Sequence, residues 1–156
     1  MPIEIERKFL VDKASWELLQ KPSPRYIVQG YLFNTGNKSC RIRVVDNSIA
    51  VLNIKQEIDA LHRHEVEVQI PLDEAKLLLA NMAEGFIEKQ RYEFSHGDLV
   101  WEVDVFTGNN FGLIVAEVEL LDANILFEKP DWIAAEVTHD RRYLNTNLAF
   151  KPFSSW

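Results

Sequence analysis

Apolar and charged residues alternate along most of this chain with a period of two. In "IEIERKFLV", residues 3–11, Ile3, Ile5, Phe9 and Val11 fall on one side with Arg7 among them, and Glu4, Glu6 and Lys8 on the other. A β-strand sends successive side chains to opposite faces, so this spacing predicts a strand with one apolar and one ionised face. The alternation recurs in "RYIVQGYLFN", "SCRIRVV", "IAVLNIKQE", "RHEVEVQIPL", "FIEKQRYEFS", "LVWEVDVF" and "LIVAEVELL". "TGNK", "DNS" and "HGD" separate consecutive runs and carry the turn chemistry of hairpins. The expectation is eight strands, mostly in antiparallel succession.

Helical spacing is rarer. "DKASWELLQK" has Asp12 as N-cap, and "DEAKLLLANMAEG" opens on acidic residues and stops at Gly85. Pro130 and Asp131 predict a helix start in "KPDWIAAEV", and a short helix is expected over "RRYLNTNLAF". Together these elements predict one domain, residues 1–156, of α+β and mainly β class.

The ionised faces are sorted by sign. Four acidic pairs (Glu4/Glu6, Glu65/Glu67, Glu102/Asp104, Glu117/Glu119) alternate along the chain with two basic pairs (Arg41/Arg43, Lys89/Arg91), and Lys8 and Lys55 add two cations. Like charges side by side cost energy, and mixed surfaces usually avoid them. Two architectures fit the parity. An open sheet or sandwich buries the apolar faces and bathes the charges. A closed eight-stranded barrel lines its bore with the charges and turns the apolar faces outward, partly under helices. In a bore, clustered carboxylates call for divalent cations and clustered Arg and Lys for a phosphate-like polyanion; a metal–polyphosphate complex answers both.

Composition narrows the classes. Hydrophobic residues at 47% and charged residues at 26% describe a folded globular chain. A net charge of −7 argues against an extended nucleic-acid footprint. The single Cys40 excludes an internal disulfide framework and a cysteine-based metal site. No run approaches the ~20 apolar residues of a membrane span, and no apolar stretch opens the chain, so a cytoplasmic protein is expected. His62, His64, His96 and His139 lack metal-ligand spacing, and neither a Walker-type glycine loop nor a G-x-S-x-G elbow occurs.

The ordered set of motifs resembles the CYTH superfamily, the triphosphate tunnel metalloenzymes. "EIERK" is similar to the family's E-x-E-x-K signature, "RIR" to R-x-R, "NIKQE" to its apolar-Lys strand and "RHEVEVQIP" to R-x-E-x-E. "EKQRY" is similar to K-x-R, "WEVDVF" to the aspartate strand, "AEVEL" to the second E-x-E, and "EVTHDRRYLN" to the C-terminal segment. The resemblance implies a closed eight-stranded antiparallel barrel forming a tunnel with a charged interior. It implies hydrolysis of a triphosphate with Mg²⁺ or Mn²⁺, inorganic triphosphate first. Thiamine triphosphate hydrolysis and class IV-type adenylate cyclase activity stand as alternatives, and a non-catalytic polyphosphate or nucleotide binding module as the different class. Glu4, Glu6, Glu117 and Glu119 are the implied metal ligands, with Asp104, Glu65 and Glu67 behind them. Lys8, Arg41, Arg43, Lys55, Lys89 and Arg91 are the implied phosphate contacts, and Lys8 with Tyr31 the implied catalytic pair. Arg141, Arg142 and Tyr143 are candidates to cap one tunnel end. The expected partner is a small-molecule triphosphate, with a homodimer as candidate assembly and no nucleic acid or membrane.

Overall fold

In a computed structural model, which describes residues 3–156, the period-two runs form strands as expected. Nine strands make one antiparallel sheet: β1 (Ile3–Val11), β2 (Arg25–Thr35), β3 (Lys38–Val45), β4 (Ile49–Glu57), β5 (His62–Ile70), β6 (Gly85–His96), β7 (Leu99–Phe106), β8 (Ile114–Glu119) and β9 (Ile133–Glu136). Their order is β5-β4-β3-β2-β6-β7-β8-β1-β9, and pairing of β5 with β1 closes the first eight into a barrel. Closure removes most of the sheet's edge, although only Ile3–Ile5 of β1 pair with β5. The hairpin between β3 and β4 turns through Asp46 and Asn47, both left-handed with φ near 50°, as a type I′ turn requires.

The segment expected to be helical after Pro130 is instead β9. The reason lies in β1. Its first half pairs with β5 through Ile3–Ile5, which leaves Phe9 and Val11 without a partner on that side. β9 supplies one, with Phe9 opposite Glu136 and Val11 opposite Ile133. An available strand edge overrides the local helix signal of Pro-Asp.

Outside the barrel, α1 (Lys13–Leu18) starts where Ser15 N–H donates to Asp12 at 3.1 Å. Trp16 of that helix joins Phe9, Val11, Trp101, Val103, Val118 and Trp132 in an apolar cluster. α2 (Leu72–Asn81) covers Ile42, Val44 and Ala50 through Ala75, with Leu78 and Leu79 beside it. Gly30 permits this, since a Cβ there would stand 2.6 Å from Leu79. The outward apolar faces of β1, β3, β7 and β8 thus obtain the burial that stabilises the fold, at about 25 cal/mol per Å², while Ile54, Val66 and Val68 on β4 and β5 stay exposed, and the ionised faces turn inward.

The C-terminal segment packs across part of one end of the barrel, the end where β2 finishes and β3 begins, and leaves the exposed Asn34, Asn37 and Lys38 lining the cavity there. α3 (Asn145–Phe150) inserts Leu148 among Ile87, Phe106, Leu113 and Val115. Phe150 lies over Gly85, where a Cβ would meet its ring at 2.8 Å. At the opposite end Glu67 and Glu119 are exposed.

Candidate active site

Alternation along eight strands lines the bore with a cavity of about 280 Å³. Its walls include Glu4, Glu6, Lys8, Tyr31, Arg41, Arg43, Lys55, Glu65, Glu67, Arg91, Glu102, Glu117 and Glu119. Lys89 and Asp104 are fully buried and joined to Arg91 beneath this lining.

Strand order turns sequence alternation into two walls. β7, β8, β1 and β5 are consecutive around the barrel and carry Glu102, Asp104, Glu117, Glu119, Glu4, Glu6, Glu65 and Glu67. β4, β3, β2 and β6 form the remaining arc and carry Lys55, Arg41, Arg43, Lys89 and Arg91. Lys8 and Arg63 are cations set into the acidic wall.

Most carboxylates are held by cations. Lys8 Nζ donates to Glu117 at 3.0 Å and lies 3.8 Å from Glu6, whose other ion partner is Arg63. Arg91 binds both oxygens of Asp104, Nε at 2.7 Å and Nη2 at 2.8 Å, and Lys89 adds a contact at 2.8 Å. Burial opposes ionisation of Asp104, but Arg91 and Lys89 outweigh it and bring its pKa down to about 2. Glu117 is likewise held well below the usual carboxylate range, burial being overcome by Lys8, Arg91 and Lys89.

Three carboxylates behave differently. Burial, a hydrogen bond shared with Glu65 and repulsion from Glu65 and Glu6 push Glu4 up to about 8, against the pull of Lys55 at 3.8 Å. Glu119 is raised by burial, Glu6 and Glu65, and Glu102 by burial and its acidic neighbours. A carboxyl that retains its proton among other carboxyls lacks positive charge. Oxygen-only donors crowded in this way suit a hard divalent cation. Among the described residues no three such side chains stand together in ligating geometry, and several of them are engaged by cations of the bore. The fit to a divalent ion is therefore one of donor chemistry, concentrated in Glu4, Glu6, Glu65 and Glu119.

On the basic wall Arg41 and Arg43 have almost no anionic partners. Arg41 Nη2 is 4.0 Å from Glu65, and its buried Nε has no hydrogen-bond partner. Arg43 Nε donates to the neutral Gln29 Oε1 at 3.0 Å. Burial, Arg41 and Arg91 depress Arg43 to about 10. Burial and Arg41 also lower Lys55.

Lys8 and Tyr31 line the same cavity, but their hydrogen bonds run elsewhere: Lys8 donates to Glu117, and the Tyr31 hydroxyl accepts from Gln29 at 3.3 Å and adjoins Arg41. Several lining residues were not singled out by sequence reasoning, among them Arg63, Lys38, Glu57 and Asn145. Arg63 has the inward parity of Glu65 and could have been read from it. Asn145 lines the cavity and meets Lys89 at 3.3 Å; it closes the segment "EVTHDRRYLN" of the family resemblance but was given no role there. Of the proposed cap residues Arg141 reaches the cavity, while Arg142 turns away to Asp140 and Trp156.

Similar proteins share this architecture. The CYTH domain family matches residues 2–147. An inorganic triphosphatase of Acetivibrio thermocellus is 44% identical over 154 residues, 98% of this chain and 97% of that protein. One from Nitrosomonas europaea is 36% identical over 150 residues, 94% of this chain and 96% of that one. A crystal structure of an inorganic triphosphatase superposes with a TM-score of 0.65 at 33% identity, covering 94% and 97% of the two chains.

Proposed function

The chain belongs to the CYTH domain family, and from that premise we propose that it hydrolyses inorganic triphosphate inside the bore with the help of a divalent metal, Mg²⁺ or Mn²⁺. It is a hydrolase of phosphoanhydride bonds, and divalent-metal dependence goes with the family. The observation that carries the reading is the pair of facing walls, with poorly compensated guanidinium groups on one side and crowded carboxylates on the other.

Arg41 and Arg43 offer forked donors to phosphate oxygens, and Lys55 and Lys8 add point charges; together they hold the phosphate chain extended along the bore. Phosphoryl transfer to water needs alignment and charge stabilisation more than covalent chemistry, and fixed cations provide both. Lys89 and Arg91 complete the basic wall from behind, through Asp104. Glu4, Glu6, Glu119 and Glu65 are the first choice to hold the metal; Glu117, Glu67 and Asp104 follow, Asp104 having both oxygens engaged. A bound divalent cation supplies neutralisation of phosphate oxygens and acidification of water. Tyr31 and Lys8, which line the same cavity without a direct hydrogen bond, are the proposed catalytic pair: the deprotonated Tyr31 oxygen would take a proton from the attacking water, and Lys8 would add positive charge.

The lining favours a bare phosphate chain. Tyr31 and Leu144 are its only large apolar side chains among the described residues, which gives a thiamine or adenine group little to stack on. The substrate is a small molecule, nucleic acid has no part, and the enzyme works in the cytoplasm, as a homodimer where it self-associates. No helix among the described residues is long and apolar enough to cross a membrane. Phosphate release from tripolyphosphate, thiamine triphosphate and ATP, each with Mg²⁺, Mn²⁺ or EDTA, tests the reading. Metal-dependent release, greatest from tripolyphosphate, is expected; full activity in EDTA overturns the metal role, and a preference for either organic substrate overturns the inorganic one.

A further inference from the structure

The two ends of the bore differ in charge. At the end opposite the cap, the exposed Glu67 and Glu119 face solvent. At the cap end, the cavity is lined by Lys38, by Arg141, which is paired with Glu57, and by Asn34, Asn37 and Asn147, so that cations and neutral amide residues outnumber the single carboxylate. On a chain of net charge −7, a polyanion is repelled from the first opening and steered to the second.

Arg141 is the notable residue there. It lies in the C-terminal segment, but the similarity of "EVTHDRRYLN" to the family pattern falls on Asp140, Arg142 and Tyr143 and leaves position 141 free. Its guanidinium forks onto Glu57, Nη1 at 2.9 Å and Nη2 at 3.1 Å. The Arg141 side chain is 63% exposed, whereas Glu57 is 18% exposed, so the fork is open to a second oxyanion from solvent. A phosphate presents the same paired oxygens as the carboxylate it would replace. Arg142, next in sequence and equal in charge, is paired with Asp140 at 2.7 Å and stacked 4.7 Å over Trp156, outside the cavity.

We propose that the phosphate chain passes through the cap end of the bore, and that Arg141 there exchanges Glu57 for the trailing phosphate of the chain. The inference rests on the functional reading above. It makes Arg141 a specificity contact for linear phosphate anions at the mouth, beyond the grip of Arg41 and Arg43.

The test is equilibrium binding of tripolyphosphate in EDTA and low salt, where no turnover occurs, with turnover in Mg²⁺ measured in parallel. Arg141→Gln should weaken binding about tenfold, the scale of one lost charge-assisted contact. Arg141→Lys, which keeps the charge and loses the fork, should fall between the two, and Arg142→Gln should match the wild type. Glu57→Gln should tighten binding, because the competing carboxylate is gone, and that gain should shrink once Arg141 is also Gln. A merely structural clamp predicts the opposite pattern, with Arg141→Gln and Glu57→Gln both weakening binding. That result, or an Arg141→Gln affinity within twofold of wild type, overturns the proposal while leaving the triphosphatase reading intact. A wild type that neither binds nor hydrolyses tripolyphosphate removes both.

Discussion

Two basic pairs with almost the same spelling, "RIR" on β3 and "KQR" on β6, do different work. Arg91 and Lys89 sit next to β7, and Asp104 takes up both of them at 2.7–2.8 Å. Arg41 and Arg43 sit between β2 and β4, which offer Gln29 and Asn53 as polar neighbours rather than an adjacent carboxylate. The first pair is neutralised inside the protein, although Arg91 still borders the cavity. The second keeps its charge largely uncompensated, and under the proposed function that charge is left for the ligand. The lesson is that a cation's role is set by which strand lies beside it, which the barrel's order decides and the motif does not.

Removing Asp104 should produce the largest effect. Asp104→Ala leaves Lys89 buried without its paired carboxylate and Arg91 with Glu102 alone, and breaking such a buried pair costs about 3–5 kcal/mol. Urea unfolding measures it. A loss under about 1 kcal/mol would place the pair outside the framework and erase the contrast with β3.

The arginines of β3 should show the converse. Arg41→Gln or Arg43→Gln should cut kcat/KM for tripolyphosphate about 100-fold, near 2.7 kcal/mol of lost transition-state stabilisation. Thermal stability should stay level or rise, because two guanidinium groups no longer repel each other. Normal kinetics in both variants would mean that neither arginine meets the substrate.

Much of this was legible in the sequence, for a physical reason. Period-two alternation is a local property, so which residues from Glu4 through Glu119 share the ionised faces follows from parity alone. The choice between open sheet and barrel was not local; it needed the resemblance, and it depends on β5 reaching β1. The same limit explains the helix expected at Ile133–Glu136, where Pro130 and Asp131 signal a helix start while the partnerless edge of β1 recruits a strand. It also explains why Lys89/Arg91 and Arg41/Arg43 read alike: Asp104 is 13 residues from Arg91 in the chain, and only the β6–β7 register sets them opposite.

Acid should sharpen the contrast on a somewhat smaller scale. Asp104 has a folded pKa of about 2 against an ordinary value of 3.8. The unfolded chain therefore binds more protons between these values, and stability falls as pH drops from about 4 through 2. The contribution is about 2 kcal/mol by linkage. Asp104→Asn should flatten this part of the stability–pH curve, whereas Arg41→Gln should leave its Asp104 component in place. An unchanged slope in Asp104→Asn would assign acid unfolding to other carboxylates.

Glu4 offers the smallest and most specific effect, on the wall opposite the arginines. With its pKa raised to about 8, Glu4 holds a proton at neutrality that its unfolded counterpart has lost. The folded state then binds more protons than the unfolded one from about pH 4.5 to 8, and the metal-free protein should lose stability as pH rises through that window. A divalent cation reverses the sense. It needs the carboxylate, so its apparent affinity should climb with pH and level off above about 8. Between pH 7 and 9 the gain should be about tenfold, since roughly nine in ten Glu4 side chains are protonated at pH 7, and tenfold corresponds to about 1.4 kcal/mol. Calorimetric titration of Mg²⁺ at pH 7, 8 and 9 reads it directly. Glu4→Gln should bind Mg²⁺ more weakly and lose the pH dependence, while the tripolyphosphate grip of Arg41 and Arg43 in EDTA stays near wild type. If the variant kept the full pH slope, proton competition would lie with another carboxyl, Glu119 being next in line as it too is raised by burial and by Glu6 and Glu65.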